Sequence, residues 1–192
     1  VADIKLSNSC NFSCLMCNPE DSSQLYTLWL KNHDKWFVQK ELQKNPKYFE
    51  VIKEAFVNKD NRNLLVSILD MKPRIIKLLG GEPLLQKEND ALLDVIDNQV
   101  HINVITNLSV PLENNRIFRK LLDKNHVMWD ISFETVEKRF EYVRHGSNWQ
   151  TMIKNIKYLL TYCPAKLSEK LPSFTRASVM NQEIWMSILK AY

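Results

Sequence analysis

Strand-like and helix-like segments alternate along this chain of 192 residues, and that alternation limits the folds open to it. Residues 3–7, 74–79, 101–107, 127–133 and 173–180 read as strands, rich in β-branched and other apolar side chains. Helical patterns follow at 91–96, 117–122, 136–142 and 149–162, and a closing helix starts near 182. Between the first two strands, residues 22–70 form a mostly helical insertion, broken by Pro46 and a polar turn at 58–63. Five strand–helix units in this order predict an α/β domain with a parallel sheet flanked by helices. An open doubly wound sheet and a partial or full (β/α) barrel both satisfy the pattern. In either, chemistry collects at the carboxyl ends of the strands.

Composition narrows the function classes. The chain is 45% hydrophobic and 25% charged, ordinary for a globular domain with its own core. No apolar run approaches the roughly 20 residues that span a bilayer, so a membrane role is not expected. The formal charge of +4 is modest, the lysines are spread over helix-like segments between acids, and the stretch 31–40 sets basic residues beside aromatics. It is read as a solvated helix face with Trp29, Trp36 and Phe37 partly packed inward, not as a nucleic-acid surface. Free thiols and the absence of a targeting segment lead to a cytoplasmic expectation. The sequence starts at Val1 directly before a strand and stops at Tyr192 inside a helical pattern, so residues 1–192 are read as one domain of a longer protein.

The strand ends carry the informative residues. Cys10, Cys14 and Cys17 follow the first strand with the spacing C-x3-C-x2-C. Three thiolates on one tight loop suit three corners of a four-iron cluster and leave one iron open to a small molecule. A structural zinc site usually closes with four protein ligands. The remaining cysteine, Cys163, has no cysteine or histidine beside it to form a second knuckle, and it reads as a helix-end packing residue. A disulfide framework is disfavoured by the crowding of Cys14 and Cys17 on one turn and by the low cysteine content.

Two of the three glycines stand together in Gly80-Gly81-Glu82-Pro83, at the end of the second strand. Without Cβ atoms they allow a ligand to approach the backbone, and Glu82 offers an acceptor beside it. A phosphate-cradling loop fits poorly, because no Gly-Lys-Ser/Thr follows and the carboxylate would repel phosphate.

C-x3-C-x2-C after the first strand, with Gly-Gly-Glu-Pro after the second, resembles the radical S-adenosylmethionine (SAM) superfamily. Ile131-Ser-Phe133 and the stretch Arg139 to Trp149 resemble the region after the fourth strand in SPASM/twitch-type members. The resemblance implies a partial (β/α)6 TIM-like barrel, cut after its fifth strand–helix unit, with the sixth strand and any twitch or SPASM domain beyond Tyr192. It implies that Cys10, Cys14 and Cys17 ligate a [4Fe–4S] cluster whose open iron takes the SAM amino nitrogen and carboxylate. Gly80, Gly81 and Glu82 would line the methionine end, and Ser132 and Arg144 the ribose and carboxylate region. Asn107 and Asn181 would face the cofactor, with the Met16 backbone and Val179 against the adenine. On pattern alone, Met16 and Val179 are equally well read as core packing.

The implied activity is reductive cleavage of SAM to a 5′-deoxyadenosyl radical that abstracts hydrogen from a peptide or small-molecule substrate. An electron donor such as flavodoxin or ferredoxin would supply the electron. The run 81–86 also resembles the 7-carboxy-7-deazaguanine synthases. A third reading is a non-catalytic iron–sulfur or zinc interaction module. The chain departs from the SPASM/twitch pattern in Ser132-Phe-Glu-Thr135, where many relatives read Ser-Ile-Asp-Gly, and in Leu108, where glycine is frequent.

Overall fold

The computed structural model describes residues 1–56 and 61–162. Four strands, β1 (Ala2–Ile4), β2 (Ile75–Leu78), β3 (His101–Thr106) and β4 (Val127–Ile131), form one parallel sheet in the order β1-β2-β3-β4. Each strand joins the one just before it. A doubly wound sheet would reverse direction at a switch point. Unidirectional winding is the arc of a (β/α) barrel, here four parallel strands that do not close. The expected fifth strand, together with Cys163, Val179 and Asn181, lies outside the described residues.

Helices α1 (Ser23–Lys31), α2 (Trp36–Lys44), α3 (Tyr48–Phe56) and α4 (Asn61–Asp70) fill the insertion between β1 and β2. The later units contribute α5 (Lys87–Val95), α6 (Arg116–Leu122), α7 (Glu137–Val143) and α8 (Trp149–Tyr162). None of the described helices is long and apolar enough to cross a membrane.

One face of the sheet is packed against the helices. Ile4, Leu78, Val104 and Trp129 share a register row, and Ile76, Ile102 and Val127 share the next. All are buried with Leu92 and Leu93 of α5, Phe118 and Leu121 of α6, and Ile156 and Leu159 of α8. The Phe118 and Trp129 rings lie 5.6 Å apart. Side chains alternate along a strand, so Asp3, Lys77, Asn103 and Asp130 stand on the face turned away from these helices.

The strands are shorter than the apolar pattern predicts. β1 stops at Ile4 because its neighbour β2 ends at Leu78, where the chain turns through positive φ at Gly80 (75°) and Gly81 (49°). β4 gives its last sheet bond from Ser132 N to Thr106 O (2.8 Å), after which β3 has turned away. The insertion also differs from expectation at one residue: Trp36 is 75% exposed rather than packed inward, whereas Phe37 meets Trp29 edge-on at 5.6 Å.

Leu108 occupies the left-handed region (φ 54°) at full burial, so this chain places a leucine in the conformation that favours glycine. Asn155 of α8 secures the segment by donating to Leu108 O (2.8 Å) and Val110 O (2.9 Å). Leu108→Gly should cost about 2 kcal/mol of packing yet be milder than Leu108→Ala, which also keeps the backbone penalty of a Cβ at positive φ. Urea unfolding should rank wild type, then Leu108→Gly, then Leu108→Ala.

Candidate functional site

The three cysteines lie on the loop between β1 and α1, and three neighbouring segments hold that loop. The first is the start of α1. Ser22 caps the helix, accepting from Leu25 N (3.2 Å), and its hydroxyl donates to Phe12 O (2.6 Å). Ser23 Oγ accepts from Cys10 N and donates to Cys10 O, each at 3.1 Å. The second is the end of α7 and the turn after it: Leu15 N donates to Val143 O and Ser13 N to His145 O, both at 2.9 Å.

The third support is the Gly-Gly-Glu turn. Glu82 N donates to Ser9 O (2.8 Å). A Cβ on Gly81 would fall 2.2 Å from that same Ser9 oxygen, a collision with backbone. One on Gly80 would meet the flexible Lys5 side chain at 2.3 Å. The open side of Gly81 is therefore filled by the cysteine loop, where sequence reasoning anticipated a ligand.

Glu82 is fully buried, and both its oxygens are engaged. Oε1 accepts from the Thr106 hydroxyl (2.6 Å) and Leu84 N (3.1 Å), and Oε2 accepts from Asn107 N (2.7 Å). The side chain thus ties the ends of β2 and β3 together. Burial pushes its pKa up to about 7, while the bonds from Thr106, Asn107 and Leu84 pull it back down.

Cys10, Cys14 and Cys17 are free; Cys10 and Cys14 are buried with Phe12, and Cys17 packs against them half-buried. Polar groups point at two of the sulfurs. Asn107 Nδ2 lies 3.7 Å from Cys10 Sγ, and Arg144 Nη1 lies 3.9 Å from Cys14 Sγ. Burial pushes the Cys10 thiol up to about 12 and the Cys14 thiol to about 11, the latter against the Arg144 guanidinium, which favours thiolate. Burial raises Cys17 as well. Among the described residues, no three His, Cys, Asp or Glu side chains converge as a single-ion site. The donor set fits an iron–sulfur cluster: three thiols on one loop, screened from water on one side, with N–H donors aimed at sulfur.

The remaining expected residues are distributed around this centre. Arg144, 9% exposed, forms a two-point ion pair with Glu134 besides its contact with Cys14. Ser132 is half-buried at the end of β4. Met16 is 50% exposed, which removes core packing as its explanation. Sequence reasoning did not single out Ser22 and Ser23, although a serine pair ahead of a helical pattern is an N-cap signal. It also missed Gly146, at φ 94° with Asn11 O 3.1 Å from where a Cβ would stand. Glu134 departs from the family pattern in sequence, but its pairing with Arg144 is visible in three dimensions alone.

The family model of the radical SAM superfamily matches residues 4–168. The match takes in the whole described sheet from Ile4 onward and every segment that holds the cysteine loop. The chain belongs to the radical SAM superfamily, and membership points to SAM cleavage with an iron–sulfur cluster. Nothing matches among curated proteins or among solved structures.

Gly81→Ala should destabilise by about 2 kcal/mol or more and Gly80→Ala by less, since the former meets backbone and the latter a movable side chain. Thermal unfolding of the two variants checks the order. Glu82 makes a second prediction. Its pKa is about 7 in the folded state against 4.5 ordinarily, so the folded state holds the proton more tightly. This contribution to stability is complete below pH 4.5 and is lost as pH rises to about 7, worth on the order of 3 kcal/mol. Urea midpoints of cluster-free protein across this range should fall less steeply with pH in Glu82→Gln than in wild type.

Proposed function

We propose that this chain is the catalytic core of a radical SAM enzyme that holds a [4Fe–4S] cluster through Cys10, Cys14 and Cys17. The observation that carries this reading is the thiol loop itself, with Asn107 aimed at Cys10 and Arg144 at Cys14. When bound, the cluster and SAM together supply reductive cleavage to a 5′-deoxyadenosyl radical that takes hydrogen from a substrate.

The protein's part is to hold, orient and exclude water. Arg144 presents a guanidinium suited to the SAM carboxylate through charge-assisted pairing, with Glu134 fixing its plane. Ser132, at the end of β4, is offered to the ribose. The backbone of Gly80 and Gly81 would line the methionine end, and the Met16 backbone would lie against the adenine. Glu82 serves this site chiefly as a positioning residue, because its oxygens already accept three hydrogen bonds within the protein. Asn107 is placed by one of them and answers to both Glu82 and Cys10. Val179 and Asn181 belong to the same proposal from the sequence. An electron donor such as flavodoxin or ferredoxin would serve the cluster, and the Arg139 to Trp149 stretch supports a SPASM/twitch-type relationship with a peptide or small-molecule substrate.

Anaerobic reconstitution followed by dithionite and SAM should yield 5′-deoxyadenosine and methionine from the wild type. Cys14→Ala should lose bound iron and the product together. Iron retained in Cys14→Ala would refute the ligand assignment. A loaded wild type that forms no 5′-deoxyadenosine would favour a non-catalytic interaction module.

A further inference from the structure

The sheet face turned away from α5 and α6 carries a polar row where an apolar lining would be usual. Asp3, Lys77 and Asn103 are register partners across β1, β2 and β3, and Asp130 stands on the same face of β4. Lys77 Nζ pairs with Asp3 Oδ1 at 3.5 Å, which leaves Asp130 as the charge in excess. Asn103 Nδ2 donates to Asp130 Oδ2 at 2.8 Å. The other oxygen of each group, Asn103 Oδ1 and Asp130 Oδ1, is buried and accepts no hydrogen bond. Asn103 itself is 7% exposed.

Two buried acceptors without donors on one cluster are costly, because each has given up its hydrogen bonds to water without replacement. They can be satisfied by a group that brings N–H donors, and the excess carboxylate favours a positive one. The row is accessible at Asp3 and Lys77, whose side chains are well exposed, and closes towards Asn103 and Asp130. Asp130 lies two residues before Ser132, about 7 Å along the strand from the end where the cysteine loop sits.

We propose that Asn103 and Asp130 form an anchoring subsite for a cationic N–H donor, an ammonium or guanidinium group, on the substrate. The subsite rests on the radical SAM reading for its purpose: it would hold a cationic substrate on the sheet face turned away from α5 and α6, below the strand ends at which the cofactor would bind. Arginine- or lysine-like side chains and polyamine-like molecules share that chemistry. Burial raises the Asp130 pKa, which agrees with a carboxylate short of donors; Asn103 and Lys77 oppose the shift.

Agmatine, which carries one guanidinium and one ammonium, and acetate, as an anionic control, are the probes. Ligand-observed NMR on the reconstituted full chain should show saturable agmatine binding and none for acetate. Asp130→Asn, which keeps shape and removes charge, should weaken agmatine at least tenfold, and Asn103→Leu should weaken it as well. If Asn103→Leu fails to fold, Asp130→Asn decides alone. Absent agmatine binding, binding unchanged in Asp130→Asn, or equal binding of acetate would overturn the subsite. The wild-type 5′-deoxyadenosine assay judges the radical reading separately, because the NMR experiment reads binding without turnover.

Discussion

The Glu82 carboxylate is buried where the ends of β2 and β3 meet the cysteine loop, and its hydrogen bonds decide how those three segments sit. A carboxylate without water is strongly disfavoured unless it is given donors. Here the donors are the Thr106 hydroxyl and the amides of Leu84 and Asn107. Satisfying the carboxylate therefore fixes the path of the chain beyond β3, and with it the Asn107 amide that reaches Cys10. On the other side, the Glu82 backbone amide holds Ser9, one residue before Cys10. One residue thus sets the position of the first thiol through two routes.

The other two thiols depend on different supports. Cys14 lies between the residues whose amides bond to the end of α7 and the turn beyond it, Ser13 and Leu15, and Arg144 from the same corner points at its sulfur. Ser22 and Ser23 anchor the Cys10–Phe12 backbone to the start of α1, so the inserted helices contribute to the site at their point of entry. The loop has little regular structure of its own, and its shape is borrowed from the three rigid segments around it. That arrangement suits a cluster site, where spacing among sulfurs must be maintained by something other than a helix or strand.

Glycine serves this arrangement in a way that the sequence does not reveal. Gly80-Gly81 invites the reading that a ligand needs the space, whereas the structure gives the Gly81 space to Ser9. Leu108 is the counterpart, a residue with a large side chain held at positive φ because its burial and the bonds from Asn155 outweigh the backbone cost. Leu108 shows local preference yielding to packing at the carboxyl edge of the sheet, whereas Gly81 satisfies both.

The sequence by itself determined the parallel α/β class, the helical insertion and the thiol loop, because each leaves a local trace in periodicity or spacing. The span of α8 is read from its apolar pattern without change. Strand ends were overextended, since a strand stops where its partner stops, and that depends on a neighbour distant in sequence. The choice between a doubly wound sheet and a barrel arc required the strand order, which is a tertiary property. Tertiary structure also decided that Glu82 is already saturated with donors, that Glu134 orients Arg144, and that Asn103 and Asp130 share an unsatisfied face. Those facts concern pairs and triads of residues brought together from separate strands, and no spacing along the chain encodes them.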